Sequence, residues 1–373
     1  MSFSGVHVIL VGPLPPPAGG MATQTVQLGR LLADAGAGVQ VVQTNLPYRP
    51  AWLAGVPGLR ALMRLLCYVG RLWRVSRSGG AAVMHLMANS GWSWHLFAVP
   101  AIVVARLRGI PVVVNYRGGG AAAFLAAQHR WVRPILARAQ VLILPSRFLL
   151  EIFARYGVAG RIVPNVIDLD LFFPPMAPRQ RPPVPHLVVT RHLEALYDNA
   201  SALRACARLV GRYPAIRLTI AGIGPERAAL ERLARELGIQ SCVRFVGQLS
   251  RQEVADLYRH ADVMLNPSRA DNMPNSVLEA MASGVVVVST RVGGVPFIVE
   301  DGRTGLLVAA GDDVEMAEAI ARVCSDEALR RRLVDAAREE VGRYRWSEVA
   351  PLLAAAYAEA MKPGQAMARG LAG

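Results

Sequence analysis

Lysine is almost absent from this 373-residue chain, and acidic residues are scarce. Of the 41 basic residues, Lys362 is the one lysine, and 27 Asp and Glu leave a formal net charge of +14. Because arginine offers a planar fork of donors that matches phosphate and carboxylate, this excess indicates anionic partners. Codon bias is an alternative explanation for choosing arginine over lysine, but it does not explain the sign of the charge.

Cysteine and long apolar runs are also scarce. The four cysteines are scattered without a C-x-x-C pair, which argues against a zinc knuckle, a redox motif or a disulfide framework. The most apolar stretch, residues 96–105, contains Pro100 and is too short to span a bilayer. Residues 8–11 run directly into Gly12 and prolines, which predicts a strand and turn rather than a signal peptide. We therefore expect a cytoplasmic protein, with peripheral membrane contact left open.

The composition that remains is that of a folded protein. Apolar residues make up 53% of the chain and charged residues 18%, which excludes disorder, and the length fits two domains. Residues 6–11, 12–20, 21–35 and 39–42 follow the order strand, glycine-rich loop, helix, strand of a βαβ unit. Further short valine-rich runs predict parallel strands that are buried on both faces.

A proline-rich break divides this alternation. Residues 172–185 hold six prolines, and the strand–helix pattern restarts at residue 186. We predict an α/β chain of two doubly wound, Rossmann-like domains facing across a cleft. Its predicted parts are a first Rossmann-like domain over residues 1–170, a linker over 171–185, a second Rossmann-like domain over 186–345 and a last helix, residues 346–373, that packs back toward the first domain. Ligands of such sheets bind at the carboxyl ends of the strands.

The most informative segment, residues 267–284, reads PSRADNMPNSVLEAMASG. It predicts a strand end, a polar loop and a helix start, with Asp271 and Glu279 eight residues apart and Asn275 or Ser276 as the helix cap. A helix N-terminus binds anions, and neighbouring carboxylates accept hydrogen bonds from sugar hydroxyls. The combination indicates recognition of a sugar attached to a phosphate.

This segment resembles the Glu-x7-Glu region of retaining GT-B glycosyltransferases of the group 1, or family 4, class. The resemblance continues through Gly293-Gly294 and residues 300–308, and it is supported upstream by residues 145–146, 163–168 and 221–225. It implies a GT-B fold and metal-independent transfer from a UDP- or GDP-linked sugar with retention of anomeric configuration. It implies that the domain over residues 1–170 is the acceptor side and that the domain over residues 186–345 binds the nucleotide sugar. The resemblance is looser over the first 140 residues.

The resemblance also implies roles for individual residues. Glu279 matches the glutamate that binds the donor ribose, and Asp271 stands at the first glutamate, where the carboxylate is one methylene shorter. Arg191 matches the arginine that holds the diphosphate, whereas Tyr197 stands about where the family has a lysine. The remaining expected donor-binding residues are Asn272, Met273, Asn275, Ser276, Gly19, Gly20, Gly222 and Val246.

Arg117 and Gly118 follow a first-domain strand where the family often has a sugar-contacting histidine, so we expect them to contact sugar or acceptor. The alternative is a structural turn with a surface arginine. His85 and His192 are expected to be ordinary packed or loop histidines. We expect no metal at Asp168-Leu169-Asp170, because this triplet closes a different motif.

Residues 59–75 predict a basic amphipathic helix, with Arg60, Arg64, Arg71 and Arg74 within one narrow face. Such a helix suits an anionic membrane surface or a lipid-linked acceptor. The alternative is an ordinary surface helix that buries its apolar side. For the tryptophans at positions 92, 94 and 131, we favour core packing over an acceptor groove.

The expected function is transfer of a sugar from a nucleotide-diphosphate sugar to a glycan or lipid-linked glycan. The alternative is a non-catalytic nucleotide-sugar or glycan-binding module of the same fold. An oxidoreductase is disfavoured because the segment at Gly222 lacks a full G-x-G-x-x-G motif. No aromatic and basic motif supports nucleic-acid binding.

Overall fold

Parallel β-strands flanked by helices recur along the chain. The computed structural model describes residues 3–16, 19–45, 57–77, 82–175 and 185–362. Within these ranges the strands form two six-stranded sheets, and every strand pair is parallel. The predicted α/β architecture of two doubly wound sheets is confirmed.

The first sheet has the strand order β2-β1-β3-β4-β5-β6. Its strands are β1 (His7–Gly12), β2 (Gly38–Gln43), β3 (Ala82–Ala88), β4 (Val112–Tyr116), β5 (Val141–Leu144) and β6 (Arg161–Ile162). The helices packed with it are α1 (Gly20–Asp34), α2 (Pro57–Val75), α3 (Val99–Leu107), α4 (Ala121–Leu136) and α5 (Arg147–Ala154). Strands β4 and β5 are buried along their whole length, because helices cover both faces of a parallel sheet.

The second sheet has the order β12-β11-β10-β7-β8-β9. Its strands are β7 (His186–Val189), β8 (Arg217–Ala221), β9 (Val243–Gly247), β10 (Val263–Asn266), β11 (Val286–Thr290) and β12 (Leu306–Val308). Its helices are α6 (Asn199–Leu209), α7 (Arg227–Glu236), α8 (Arg251–Arg259), α9 (Asn275–Ala282), α10 (Asp313–Ser325) and α11 (Glu327–Val341). Strands β7 and β10 are direct neighbours, so the loops that follow them lie side by side.

The chain divides into two units, and the last helix belongs with the first sheet. Unit 1 contains residues 1–166 and 346–373, and unit 2 contains residues 167–345. Helix α12 (Trp346–Ala360) buries its apolar side chains in the unit 1 core beside β4 and β5. The predicted first domain ends at residue 170, whereas unit 2 already begins at Ile167. The Ile167 N–H donates to the Tyr344 carbonyl, which ties Ile167 to unit 2.

The predicted linker begins with residues that are packed. Phe172 is fully buried in the core of unit 2, beside Tyr258. Residues 176–184, which hold the centre of the proline-rich segment, lie outside the described ranges.

Two tryptophans differ from the core packing that the sequence favoured. Trp94 is 1% exposed and packs in the unit 1 core, but Trp92 and Trp131 are 79% and 77% exposed. Both stand where the local helices turn a side chain outward, so apolar composition alone misplaced them.

Among the helices in the described ranges, none has both the length and the apolarity needed to cross a bilayer. Of the basic face predicted on α2, Arg71 and Arg74 are exposed and Arg64 is half-buried, whereas the side chain of Arg60 lies outside the described residues.

Candidate functional site

Neighbouring strands in unit 2 bring the main candidate residues together. Arg191 follows β7, and Asp271 lies in the loop after β10. Because these two strands are adjacent and parallel, their carboxyl ends open at the same edge of the sheet. Helix α9 begins directly behind this loop, which places Ser276 beside the same edge.

The centre of the site is a largely buried ion pair between Arg191 and Asp271, whose side chains are 12% and 11% exposed. A second guanidinium nitrogen of Arg191 donates to the Ser276 hydroxyl at 3.2 Å. The guanidinium also lies over the Tyr197 ring, 4.3 Å from its centroid, in cation–π geometry. Tyr197, which stands about where the family has a lysine, therefore contacts Arg191 through its aromatic ring and supplies no second positive charge.

The loop that carries Asp271 is braced by two glycines. A Cβ on Gly293 would lie 2.0 Å from the Asp271 carbonyl oxygen, and one on Gly294 would lie 1.8 Å from that of Asn272. Any side chain at these positions would push the loop away, so glycine is required by close approach. The Gly294 N–H donates to the Asp271 carbonyl at 3.0 Å, and the Asn272 N–H donates to the Asp271 carboxylate at 2.9 Å. Asn272 is an expected donor-binding residue, and its N–H is thus already bonded within the loop.

The start of α9 differs from the predicted cap. The N-cap residue is Pro274, which offers no side-chain hydrogen bond, and Asn275 is the first helical residue. Ser276 is not a cap, because its hydroxyl accepts from Arg191 and its carbonyl accepts from the Tyr258 hydroxyl at 3.0 Å. Met273 is buried in the core of unit 2, which leaves its backbone as the part that can face a ligand.

Glu279 lies on α9 with an unusual charge environment. Burial raises the pKa of its carboxyl to about 7. The charge of nearby Arg251 lowers this pKa, and the charge of Asp168 raises it further. Arg251 itself faces Asp168 at 3.7 Å. Glu279 therefore changes charge near neutral pH, a property expected of functional carboxylates more often than of structural ones.

Glycines also fix the loop that carries Arg191. A Cβ on Gly222 would lie 2.0 Å from the Arg191 carbonyl oxygen, and one on Gly224 would lie 2.3 Å from that of Leu193. Gly222 thus supports Arg191 through backbone packing, which explains the Gly-x-Gly pattern without a dinucleotide. Val246 lies near the end of β9 and is half-buried.

In unit 1, three amide side chains hold Arg117. Its guanidinium donates to three amide oxygens, those of Asn115 at 3.1 Å, Gln24 at 3.3 Å and Asn165. Burial lowers the pKa of Arg117 to about 10. Arg117 is half-buried, and these three amide oxygens orient its guanidinium.

The same network fixes the state of His85. Because the Asn115 oxygen accepts from Arg117, its amide nitrogen donates to His85 Nε2 at 3.0 Å. The proton of a neutral ring is then on Nδ1, which lies 2.8 Å from the Tyr357 hydroxyl. Burial, aided by the charge of Arg117, lowers the pKa of His85 to about 3. His85 is therefore a neutral, packed histidine.

The unit 1 glycines have two different explanations. A Cβ on Gly118 would lie 2.4 Å from the Ser90 hydroxyl oxygen, so packing of the preceding loop requires this glycine. At Gly19 and Gly20, no atom lies within 4 Å of the position that a Cβ would take, and neither residue has a positive φ. The fold of unit 1 therefore does not require glycine at these two positions.

Sequence reasoning missed several residues that shape the site. Tyr258 joins Ser276 to the Thr190 hydroxyl, which lies 2.5 Å from the tyrosine oxygen. Nothing in the pattern of α8 distinguishes this tyrosine from an ordinary core residue. Gly293 and Gly294 belong to a sequence motif, but their contact with the loop of Asp271 is visible only in three dimensions.

No group of three or more His, Cys, Asp or Glu in the described ranges is arranged to hold a metal ion. Asp168 instead faces Arg251 and accepts from the Leu171 N–H at 3.2 Å.

The matches to known families identify the class of protein as a glycosyltransferase. A family model described as glycosyl transferases group 1 matches residues 187–340, and one described as glycosyltransferase family 4 matches residues 18–171. Together they cover most of the chain. The chain belongs to the group 1, family 4 glycosyltransferases.

Curated relatives and solved structures agree with this assignment. A D-inositol 3-phosphate glycosyltransferase from Corynebacterium urealyticum is 38% identical over 163 residues, which is 42% of this chain and 38% of the relative. One from Catenulispora acidiphila is 34% identical over 235 residues, 58% of this chain and 55% of the relative. The matches thus span about half or less of these curated relatives.

Two solved structures have the same fold over almost the whole chain. Sucrose-phosphate synthase from Thermosynechococcus elongatus has a TM-score of 0.76 at 23% identity and covers 95% of this chain and 98% of its own. Anabaena HepE, solved in complex with UDP and glucose, has a TM-score of 0.72 at 16% identity, with coverage of 95% and 99%. At these identities the likeness concerns the fold.

Proposed function

We propose that this protein transfers a sugar from a nucleotide-diphosphate sugar to a glycan or lipid-linked glycan, with retention of anomeric configuration and without a metal ion. The observation that carries the proposal is the buried cluster of Arg191, Asp271 and Ser276, with Glu279 farther along the helix that carries Ser276. A cation, a carboxylate and a helix start at the carboxyl ends of two parallel strands suit a phosphorylated sugar.

The proposed roles follow from the charges. Arg191 holds the diphosphate, because a guanidinium can grip phosphate oxygens with two donors. Asp271 accepts hydrogen bonds from the transferred sugar, and Glu279 accepts them from the ribose. UDP is our first choice of nucleotide, since HepE was solved with UDP and glucose. The glycine pair Gly19-Gly20 is proposed to admit a phosphate close to its backbone.

The proposed transfer needs no reagent beyond the sugar donor and the acceptor. The bond between the anomeric carbon and the diphosphate oxygen breaks, and the diphosphate leaves with the electron pair. The acceptor hydroxyl forms a bond to the same carbon on the face that the diphosphate leaves, and its proton passes to the departing phosphate. Arg191 lowers the barrier by stabilising the charge that develops on the diphosphate.

One observation favours the alternative, a nucleotide-sugar-binding module without transfer. Tyr197 supplies an aromatic face where the family has lysine, and Asp271 already neutralises Arg191. Such a module would bind the donor but release no nucleoside diphosphate.

A nucleotide screen tests the proposal. Thermal unfolding is followed with UDP-, GDP- and ADP-linked sugars, and any stabilising donor is then incubated with candidate acceptors and examined by mass spectrometry. We expect one nucleotide class to stabilise the protein and the Glu279→Ala variant to lose that effect, with Glu348→Ala on α12 as the control. Failure of every donor to stabilise the chain would contradict the proposal, and binding without product would select the alternative.

A further inference from the structure

Two positions of unit 2 depart from the family motif, and both of their side chains contact the same guanidinium. Asp271 stands where the family has a glutamate, and Tyr197 stands about where it has a lysine. Asp271 pairs with Arg191, and the Tyr197 ring centroid lies 4.3 Å from the Arg191 guanidinium carbon. The loss of a second cation and the gain of an aromatic contact therefore concern one side chain, the arginine that is proposed to hold the diphosphate.

Arg191 is held by three side chains. One terminal nitrogen donates to Asp271, the other donates to the Ser276 hydroxyl, and the guanidinium lies over the Tyr197 ring. The two hydrogen bonds engage two of the five N–H donors that an arginine offers. A mobile arginine loses rotamer freedom when it grips a ligand, whereas an arginine that is already held loses less. The ring contact thus orders the guanidinium without occupying a further donor.

The segment that carries Tyr197 is itself fixed. The next residue, Asp198, has a φ of 41°, in the left-handed region that residues with a side chain seldom adopt. Strain of this kind persists only where surrounding contacts impose it, and it concentrates at ligand sites. The buried Asp198 carboxylate accepts from Arg269 Nε at 3.1 Å, and the Arg269 N–H donates to the Leu196 carbonyl at 2.8 Å. Because Arg269 precedes Asp271 in the same loop, this loop fixes the ring as well as the ion pair.

We infer that Tyr197 is a positioning residue, whose ring orders the Arg191 guanidinium for the diphosphate and so replaces a second positive charge by preorganisation. The inference rests on the proposed function, in which Arg191 holds the diphosphate. An aromatic ring suits this task because it attracts the guanidinium without neutralising it. Asp271, by contrast, holds Arg191 and also cancels its charge.

Titration calorimetry with UDP tests the role of the ring, and GDP or ADP replaces UDP if the nucleotide screen selects that base. Tyr197→Leu removes the aromatic face and should weaken binding about fivefold, the cost of ordering one freed side chain. Tyr197→Phe keeps the ring and loses only the hydroxyl, so it should bind as tightly as the parent chain. If the phenylalanine variant loses as much affinity as the leucine variant, the hydroxyl is responsible and the inference is overturned.

A double-mutant cycle shows whether Tyr197 acts through Arg191. In the Arg191→Gln background there is no guanidinium to orient, so adding Tyr197→Leu should cause no further loss of affinity. A further fivefold loss in that background would mean that the ring contacts the nucleotide directly. That result would overturn the inference, because a positioning residue acts only through the residue that it positions.

Tyr213 provides a matched control in the same unit. Its ring centroid lies 5.5 Å from the Arg212 guanidinium carbon, in the turn between α6 and β8. This turn leads into the amino end of β8, at the opposite edge of the sheet from Arg191. Tyr213→Leu should therefore leave nucleotide affinity unchanged. Equal losses in Tyr197→Leu and Tyr213→Leu would reflect a general loss of packing and would overturn the inference.

Nuclear magnetic resonance supplies a readout that needs no ligand. The Arg191 Nε is buried and has no hydrogen-bond partner within the described ranges, so the shift of its proton is sensitive to a neighbouring ring. We expect a ring-current shift of this N–H signal in the parent chain and in Tyr197→Phe, and its loss in Tyr197→Leu. A signal at the same position in all three chains would mean that the ring does not hold the guanidinium, which would overturn the inference.

The outcomes distinguish failure of this inference from failure of the proposed function. If the parent chain binds none of the three nucleoside diphosphates, the proposed function fails and the inference fails with it. If the parent chain binds one of them and Tyr197→Leu binds it equally well, the proposed function stands and Tyr197 has no positioning role.

Discussion

The ion pair between Arg191 and Asp271 gives the sharpest prediction, because removing either partner should have the same effect on stability and opposite effects on nucleotide binding. Asp271→Asn leaves a buried guanidinium without its counter-charge. Arg191→Gln leaves a buried carboxylate beside the proposed diphosphate position. Asp271→Asn keeps the size of the side chain, so loss of charge is its main perturbation, whereas Arg191→Gln removes the charge and also shortens the side chain.

The burial of the pair sets the magnitude. Breaking a buried ion pair by removing one partner costs about 3–5 kcal/mol. Because both side chains remain slightly exposed, at 12% and 11%, we expect the lower end, about 3 kcal/mol, for either single variant. In a unit of this size that corresponds to a fall in Tm of about 6–12 °C. The double variant should be less destabilised than the sum of the two, with a coupling of about 2 kcal/mol.

Calorimetry supplies both assays, thermal unfolding and UDP titration. Asp271→Asn should tighten UDP binding about tenfold by removing a repelling charge, and Arg191→Gln should weaken it at least as much. Arg227→Gln, which breaks an exposed pair with Glu231, is the control and should cost about 0.5 kcal/mol. Single variants as mild as this control, or changes in UDP affinity of the same sign, would refute the reasoning.

Other consequences concern Glu279 and three glycines. With the pKa of Glu279 near 7, UDP affinity should rise about tenfold from pH 6 to pH 8 as the carboxylate forms and accepts from the ribose, and Glu279→Gln should flatten that profile in titration calorimetry. Gly20→Ala should leave Tm unchanged or raise it slightly while weakening donor binding about tenfold; unchanged affinity would remove this glycine from the site. Gly294→Ala should destabilise unit 2 by roughly 2–4 kcal/mol, because its Cβ would meet the Asn272 carbonyl, whereas Gly211→Ala, with open space around it, should not; equal melting temperatures would contradict the proposed brace.

Much of the fold could be predicted because buried parallel strands have a distinctive sequence pattern. The valine-rich runs at β4 and β11 are too short for helices and are followed by glycine or polar turns. Boundaries were less predictable, since they depend on contacts distant in sequence. Ile167 belongs to unit 2 because of its bond to Tyr344, which lies far along the chain.

The donor side of the site was also predictable in part. The motif from Asp271 to Glu279 and the strand before Arg191 placed these residues at one sheet edge, where the structure has Asp271 and Arg191 in contact. The predicted cap at Asn275 or Ser276 was wrong because the helix already begins at Asn275, with Pro274 at the N-cap. The bond from Arg191 to the Ser276 hydroxyl is one that local sequence does not reveal.

The unit 1 residues were harder to predict. Gln24 and Asn165, which orient the Arg117 guanidinium, reach it from segments distant in the sequence, so local sequence does not reveal these contacts. The apolar side of α2 was similarly ambiguous, because helical periodicity cannot say how much of a wide apolar face its own unit will cover. Leu62 and Leu66 are left exposed only because α2 turns Tyr68 and Leu72 inward.

The most direct test of the proposed activity is the configuration of the product. The enzyme is incubated with the stabilising nucleotide sugar and an acceptor, and the anomeric proton of the newly attached sugar is followed by NMR while release of nucleoside diphosphate is measured. We expect one nucleoside diphosphate for each sugar transferred, a new linkage with the anomeric configuration of the donor, and loss of both signals in Asp271→Ala. Inverted configuration, or donor binding with no transfer to any acceptor, would contradict the account.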